Sequence, residues 1–234
     1  MFEAIIFDFD GTLVDFVDSD TKSLKHLHSQ IETTVSFKDF FGTAVDEIMN
    51  FHQLVDQGDI DPLLMHRFRL ERTFGVHGIQ LNDSAIDIYK DELFRTCVPF
   101  DGIAEVLSRL KERFKLGLLT NAYDAPEQRK RISSSGLHDY FDEILISGEI
   151  GVYKPDPNVF FSILNRLNVV PEKAIYIGDS IKHDVGGANS AGMKSVLFSK
   201  KSKRISSEAD YHAHGVEGLE NLAKKFCGLA LVGS

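Results

Sequence analysis

A chain of 234 residues with 43% hydrophobic and 26% charged side chains is that of a globular protein able to bury a substantial core. Its 35 acidic against 26 basic side chains leave a net charge of −9, which disfavours nucleic acid and anionic membranes as partners. Cys97 and Cys227 are too few and too isolated for a disulfide framework or a zinc site, and they suit a reducing compartment. The sequence starts on a strand pattern with no signal-like segment before it, and no apolar run reaches membrane-spanning length. The expectation is a cytoplasmic protein.

The apolar run Ala4-Ile5-Ile6 reads as a buried strand that ends on Phe7-Asp8-Phe9-Asp10-Gly11-Thr12. Two acids at the end of such a strand need something to bind, because buried unpaired charge is expensive. A hairpin at Asp10-Gly11 would require a second alternating strand. Helical periodicity follows instead, so a ligand site at the strand's C-terminal end is expected.

From about Asp15 to Cys97 the pattern is helical. Leu24, Leu27, His28 and Ile31 form one stripe, and Ala44, Ile48, Phe51 and Val55 a second. Asp61-Pro62 marks a helix start. Ile86, Tyr89, Leu93 and Cys97 make a third stripe behind the capping candidates Asn82 and Asp83. Beyond Val98-Pro99-Phe100 the chain alternates between amphipathic helices and short apolar strands. The strands are Leu116–Thr120, Ile144–Ser147, Ala174–Gly178 and Ser195–Phe198. The helices include Pro126–Ser135, one started by Asp156-Pro157, and a tail helix through Val216, Leu219, Leu222 and Phe226. This alternation predicts an α/β fold: a Rossmann-like parallel sheet with helices on both faces. The expected organisation is an α/β core of residues 1–15 and 99–234, interrupted by an α-helical domain of residues 16–98. The basic run Ser199 to Arg204 reads as a solvated loop.

Ligands of such sheets bind beyond the C-terminal strand ends, and four strings lie at or after those ends. Asp8 and Asp10, at i and i+2, present two carboxylates to one ligand, one suited to nucleophilic attack and the other to proton transfer. Thr120 and Asn121 bring a hydroxyl and amides. Lys154 stands between a strand end and two stiffening prolines, Pro155 and Pro157. Asp179 and Asp184 are the hard oxygen ligands that Mg2+ prefers.

In this order the strings resemble the four motifs of the haloacid dehalogenase-like (HAD) hydrolase superfamily. Asp8-Phe9-Asp10-Gly11-Thr12 looks like the first, Thr120 the second, Lys154 the third, and Asp179 with Asp184 the fourth. The helical segment is similar to the C1-type cap of the subgroup containing phosphoglycolate phosphatase and several nucleotidases. The resemblance implies that Asp8 attacks phosphorus to form an aspartyl-phosphate, and that Asp10 protonates the leaving oxygen and then activates water. It implies Mg2+ on the Asp8 carboxylate, the Asp10 backbone carbonyl and Asp179, with Asp184 acting through water. Thr120, the Asn121 amide and Lys154 would hold the phosphoryl oxygens. The family's dehalogenases lack the second acid, so Asp10 favours a phosphatase.

The expected function is hydrolysis of small soluble phosphomonoesters such as a sugar phosphate, phosphoglycolate or a nucleoside monophosphate, by a monomer or homodimer. A phosphomutase is the alternative enzyme, and a non-catalytic binding or regulatory protein the alternative class. Substrate contacts are expected from the helical segment, with His26, His28, His52, His66, Arg67, Arg69 and Arg72 as candidates. His66 and the three arginines form its most cationic part and are expected to face the leaving group. His183 is expected to face solvent.

Overall fold

The computed structural model describes residues 2–82, 84–200 and 204–228. Asp83 and the central part of the basic run, Lys201 to Lys203, lie outside them. The chain divides into two compact units, Met1–Asp15 with Val98–Ser234 and Phe16–Cys97. Val98 thus falls with the first unit, one residue earlier than the expected return.

In chain order, strand β1 (Ala4–Phe7) is followed by helices α1 (Phe16–Ser29), α2 (Phe37–Gln57), α3 (Met65–Val76) and α4 (Ala85–Arg95). Then come α5 (Ile103–Lys111), β2 (Lys115–Thr120), α6 (Ala125–Ser134), β3 (Glu143–Ile146) and α7 (Pro157–Leu167). The chain continues through β4 (Ala174–Gly178), α8 (Gly186–Ser190), β5 (Lys194–Ser199), β6 (Tyr211–His214) and α9 (Gly215–Phe226).

The first unit is a six-stranded sheet in the order β3-β2-β1-β4-β5-β6, every neighbouring pair parallel. Parallel strands need crossover connections, which cover both faces, and strands buried on both sides read as continuous apolar runs. All four residues of β1 are buried accordingly. Packed beneath the sheet, α7 buries Val159, Phe160, Ile163, Leu164 and Leu167 in one cluster with Ile6, Leu119 and Tyr176. Local chemistry starts these helices where expected. Asp156 accepts from the Asn158 backbone N–H at 2.8 Å, and Asp124 from that of Glu127 at 2.9 Å, each with proline in the first turn.

Strand β6 was not expected. Its Tyr-His-Ala-His sequence lacks the apolar run of the inner strands, because it lies at the sheet edge and only Ala213 is fully buried. Order matters more for function. The chain leaves β1 for β2 on one side and later returns to β4 on its other side, which makes β1 the switch point where a crevice forms. Phe7 is level with Leu118 and Ile177, so the residues following β1, β2 and β4 emerge together at one edge.

The second unit is helical. Leu24, Leu27, Phe40, Ala44, Leu70, Phe74, Tyr89 and Leu93 form its core. Beside them lies a polar knot. Arg69, nearly inaccessible, donates to both carboxylate oxygens of Asp20 at 2.7 and 2.9 Å and through Nε to the Ala44 carbonyl at 2.9 Å. The Tyr89 hydroxyl donates to Asp20 Oδ1 at 2.5 Å. This corrects one expectation: Arg69 is committed to the interior of its own unit and offers no open cation to a substrate. His66 is likewise buried, its ring 5.1 Å from that of Tyr89. His28 contacts the Val35 carbonyl and packs on Phe37 and Phe40. Arg67 pairs with Glu71 and Arg72 with Glu47. Removing one partner of a buried ion pair strands the other charge, so Arg69→Met is expected to destabilise this unit by about 3 kcal/mol or more. Urea unfolding of wild type and variant measures it, and an unchanged midpoint would show the knot to be dispensable.

Candidate active site

Asp8 is the first residue beyond β1 and is almost fully buried. The Thr12 hydroxyl donates to its Oδ2 at 3.2 Å, and Lys154 Nζ to its Oδ1 at 2.7 Å. Lys154 itself is buried and has three donors to place. They go to Asp8 Oδ1, to Asp184 Oδ1 at 2.7 Å and to the Tyr176 hydroxyl at 2.9 Å. Tyr176 in turn donates to the Leu119 carbonyl at 2.8 Å. The lysine is thereby held from behind as well as in front.

Asp179 follows β4, and Asp184 lies in the π-helical turn Ile181–Val185. One oxygen from each of Asp8, Asp179 and Asp184 falls within 4.8 Å of the others. Two glycines allow this crowding. A Cβ on Gly11, whose φ is +84°, would lie 2.7 Å from Asp179 Oδ2, and one on Gly178 would lie 2.3 Å from Asp184 Cγ. Asp184 uses both oxygens within the protein, since Oδ2 accepts from the Ser180 backbone N–H at 2.9 Å.

The charge balance is uneven: three carboxylates meet one ammonium. Burial pushes the Asp8 carboxyl up to about 7, with Lys154 opposing the rise and Asp184 adding to it. Burial and then Asp184 raise Asp179 to about 6. For Lys154, burial acts to lower the pKa, but Asp184 and Asp8 together outweigh it and hold the ammonium well above its ordinary range. An all-oxygen donor set with excess negative charge fits a hard divalent cation such as Mg2+.

The sequence-selected residues meet at this edge. Thr120 is buried at the end of β2, its Oγ1 accepting from Gln128 Nε2 at 3.1 Å. Asn121 grips the Lys154 backbone, donating through Nδ2 to its carbonyl at 3.0 Å and accepting its N–H on Oδ1 at 2.9 Å. Its side chain therefore shapes the Lys154 loop, and neither of these bonds uses the Asn121 backbone N–H. The exposed ring of His183 also reaches the Lys154 carbonyl, at 3.0 Å from Nδ1. Arg204, read as part of a solvated loop, donates to the Asp179 carbonyl at 3.2 Å, and Lys200 is ion-paired with Asp15.

Three polar residues escaped sequence reasoning: Tyr176, Gln128 and Arg131. Tyr176 sat inside an apolar strand pattern. Gln128 and Arg131 face inward from α6, the most polar helix of the α/β unit, and both contact Asp10. Polar side chains at i and i+3 on a helix that must cover a sheet were the available signal.

An acidic cluster and a buried lysine at the switch point of a parallel sheet define an α/β enzyme that works at the carboxyl ends of its strands. A family model described as haloacid dehalogenase-like hydrolase matches residues 5–198, and the chain belongs to that family. A glyceraldehyde 3-phosphate phosphatase of Methanopyrus kandleri is 31% identical over 203 residues, spanning 84% of this chain and 83% of its own. The pyrimidine 5'-nucleotidase YjjG of Escherichia coli is 30% identical over 195 residues, 81% and 82% of the two chains. Among solved structures, magnesium-bound YfnB of Bacillus subtilis shares the fold with a TM-score of 0.78 at 23% identity, over 95% of this chain and 98% of that one. Within the family, this chain is a phosphomonoester hydrolase.

Proposed function

We propose that the chain is a Mg2+-dependent phosphatase of small soluble phosphomonoesters that works through an aspartyl-phosphate on Asp8. The observation that carries this reading is the convergence of Asp8, Asp179 and Asp184 around Lys154, with Asp10 beside them. The Asp8 carboxylate and Asp179 would hold the cation with the Asp10 backbone carbonyl. Asp184, whose oxygens are already engaged, would act through water. When bound, the cation supplies positive charge against the nucleophile and the phosphoryl oxygens.

An Asp8 oxygen bonds to phosphorus as the bond from phosphorus to the alcohol oxygen breaks, and Asp10 gives that oxygen its proton. Asp10 then takes a proton from the water that attacks the acyl-phosphate, which frees phosphate and regenerates Asp8. Attack by a carboxylate on a dianion brings like charges together, at about 1 kcal/mol in water and several in a drier site for ~4 Å separation. Lys154 offsets part of this, and Thr120 and Lys154 steady the equatorial oxygens. Substrates named for the two relatives are phosphate esters of primary alcohols. Their alkoxides leave poorly without a proton, which gives Asp10 its purpose. The helical unit is proposed to serve as the cap that selects the alcohol portion.

Phosphate release from a panel of sugar phosphates, phosphoglycolate and nucleoside monophosphates, with Mg2+ or excess chelator, tests this proposal. Cation-dependent release supports it; full activity in chelator would contradict it. A pH effect follows from the same carboxyls. Without cation they hold protons up to about 7 on Asp8 and about 6 on Asp179. Cation uptake must displace those protons, so Mg2+ affinity is expected to weaken as pH falls from 8 to 5. Calorimetric titration in buffers of differing ionisation enthalpy reads this as proton release, and affinity independent of pH would refute it.

A further inference from the structure

We propose that Arg131 and Gln128 are positioning residues for phosphoryl transfer, joining the Asp10 carboxylate and the Thr120 hydroxyl into one hydrogen-bonded chain that sets how each meets the substrate. The inference rests on the reading of Asp10 as the group that protonates the leaving oxygen.

Both residues lie on the inward face of α6, three positions apart, and both are 3% exposed. Arg131 forks onto Asp10, with Nη2 donating to Oδ1 at 2.5 Å and Nη1 to Oδ2 at 2.8 Å. The same Nη1 donates to Gln128 Oε1 at 2.8 Å, which fixes the orientation of that amide. Its NH2 group then faces the site and serves two acceptors, Asp10 Oδ2 at 2.9 Å and Thr120 Oγ1 at 3.1 Å. The Arg131 guanidinium also lies over the ring of the buried Phe9, 5.6 Å from its centre; Phe9 stands between the two acids in sequence.

The hydrogen-bond count assigns the roles. Oδ2 of Asp10 accepts two bonds and has no lone pair to spare, whereas Oδ1 accepts one from Arg131 and keeps one. Proton exchange with the substrate is thereby confined to Oδ1. Thr120 Oγ1 accepts from Gln128, so the hydroxyl hydrogen is turned elsewhere, the arrangement in which it donates to a phosphoryl oxygen. The Arg131 side chain is buried while the Asp10 side chain keeps 27% of its surface open. Lysine would keep the charge but not the planar fork.

The test compares kcat/KM, which reports steps up to formation of the intermediate, for an alkyl and an aryl ester. Ribose 5-phosphate loses an alkoxide that needs a proton, whereas p-nitrophenyl phosphate loses a phenolate that does not. Arg131→Lys is expected to lower kcat/KM for ribose 5-phosphate about tenfold or more, and for p-nitrophenyl phosphate less than about threefold. In the Asp10→Asn background the same replacement is expected to cost no more than the small factor seen with p-nitrophenyl phosphate, the part that runs through Gln128 to Thr120. Gln128→Leu, which also releases Thr120, is expected to slow both esters. Equal losses on the two esters in Arg131→Lys, or an undiminished loss in the Asp10→Asn background, would overturn the proposal and leave Arg131 a support of the fold. If Asp10→Asn itself affects both esters alike, the reading of Asp10 as the acid fails first, and that outcome is distinct from failure of Arg131→Lys alone.

Discussion

Asp8→Asn is expected to abolish turnover, with a fall in kcat of about ten-thousand-fold or more, since an amide is no nucleophile. The same change is expected to spare the fold or strengthen it. The folded-state pKa of Asp8 is raised to about 7 from an ordinary 3.8, chiefly by burial. A group raised in this way contributes stability that is present below its unfolded pKa and lost as pH rises through the folded one. In chelator, wild type should therefore lose stability between about pH 4 and 7 from this group, and Asp8→Asn should not. Thermal melts at pH 5 and pH 8 compare the two directly. A variant that melts well below wild type at pH 8 would mean that Asp8 is a structural residue, and the loss of activity would then carry no mechanistic weight.

Lys154→Met is expected to have the second-largest effect, and it should damage both fold and catalysis. Lys154 is the only ammonium among the described residues that ion-pairs with Asp8 and Asp184, and both partners are buried. Removing it leaves those carboxylates uncompensated, at a cost of about 3 to 5 kcal/mol. In a chain of this size that is roughly a 10 °C fall in Tm. Two conditions should restore part of it. Acid neutralises the carboxyls by protonation, and Mg2+ supplies the missing charge. Activity should stay at least about a hundredfold down even when the fold is rescued, because the phosphoryl group has lost a donor at the transition state. Differential scanning calorimetry across pH, with and without Mg2+, is the measurement. A Tm deficit that neither acid nor Mg2+ reduces would show that packing, not charge, explains the loss.

The sheet was legible because its inner strands are buried on both sides, so that Ala4-Ile5-Ile6 and Ala174–Gly178 read as unbroken apolar runs. The acids were legible for the complementary reason: charge at the end of a buried strand is too costly to be incidental. Distances between strands were not legible. That Lys154 touches both Asp8 and Asp184, 30 and more positions away in either direction, depends on the strand order. Asn121 shows the limit at close range. Its residue type suited phosphate, and its side-chain amide also matches the Lys154 backbone in both donor and acceptor, which spacing along the chain could not show. Arg69 shows it for charge. An arginine in a cationic stretch of sequence turned inward because Asp20, far away along the chain, waits there with both oxygens. Edge strand β6 and the inward polar face of α6 were lost to the same cause, since neither carries the apolar periodicity by which buried elements announce themselves.

The central claim is that Asp8 carries the phosphoryl group. It is tested most directly by quenching the enzyme in acid during turnover with Mg2+, reducing it with borohydride and mapping the peptides by mass spectrometry. Borohydride converts an aspartyl-phosphate to homoserine and leaves a free carboxylate untouched. Homoserine at position 8, dependent on substrate and absent from Asp8→Asn, is the expected result. Homoserine at Asp10, Asp179 or Asp184, or its absence from an enzyme that is releasing the alcohol in a burst ahead of phosphate, would contradict the assignment.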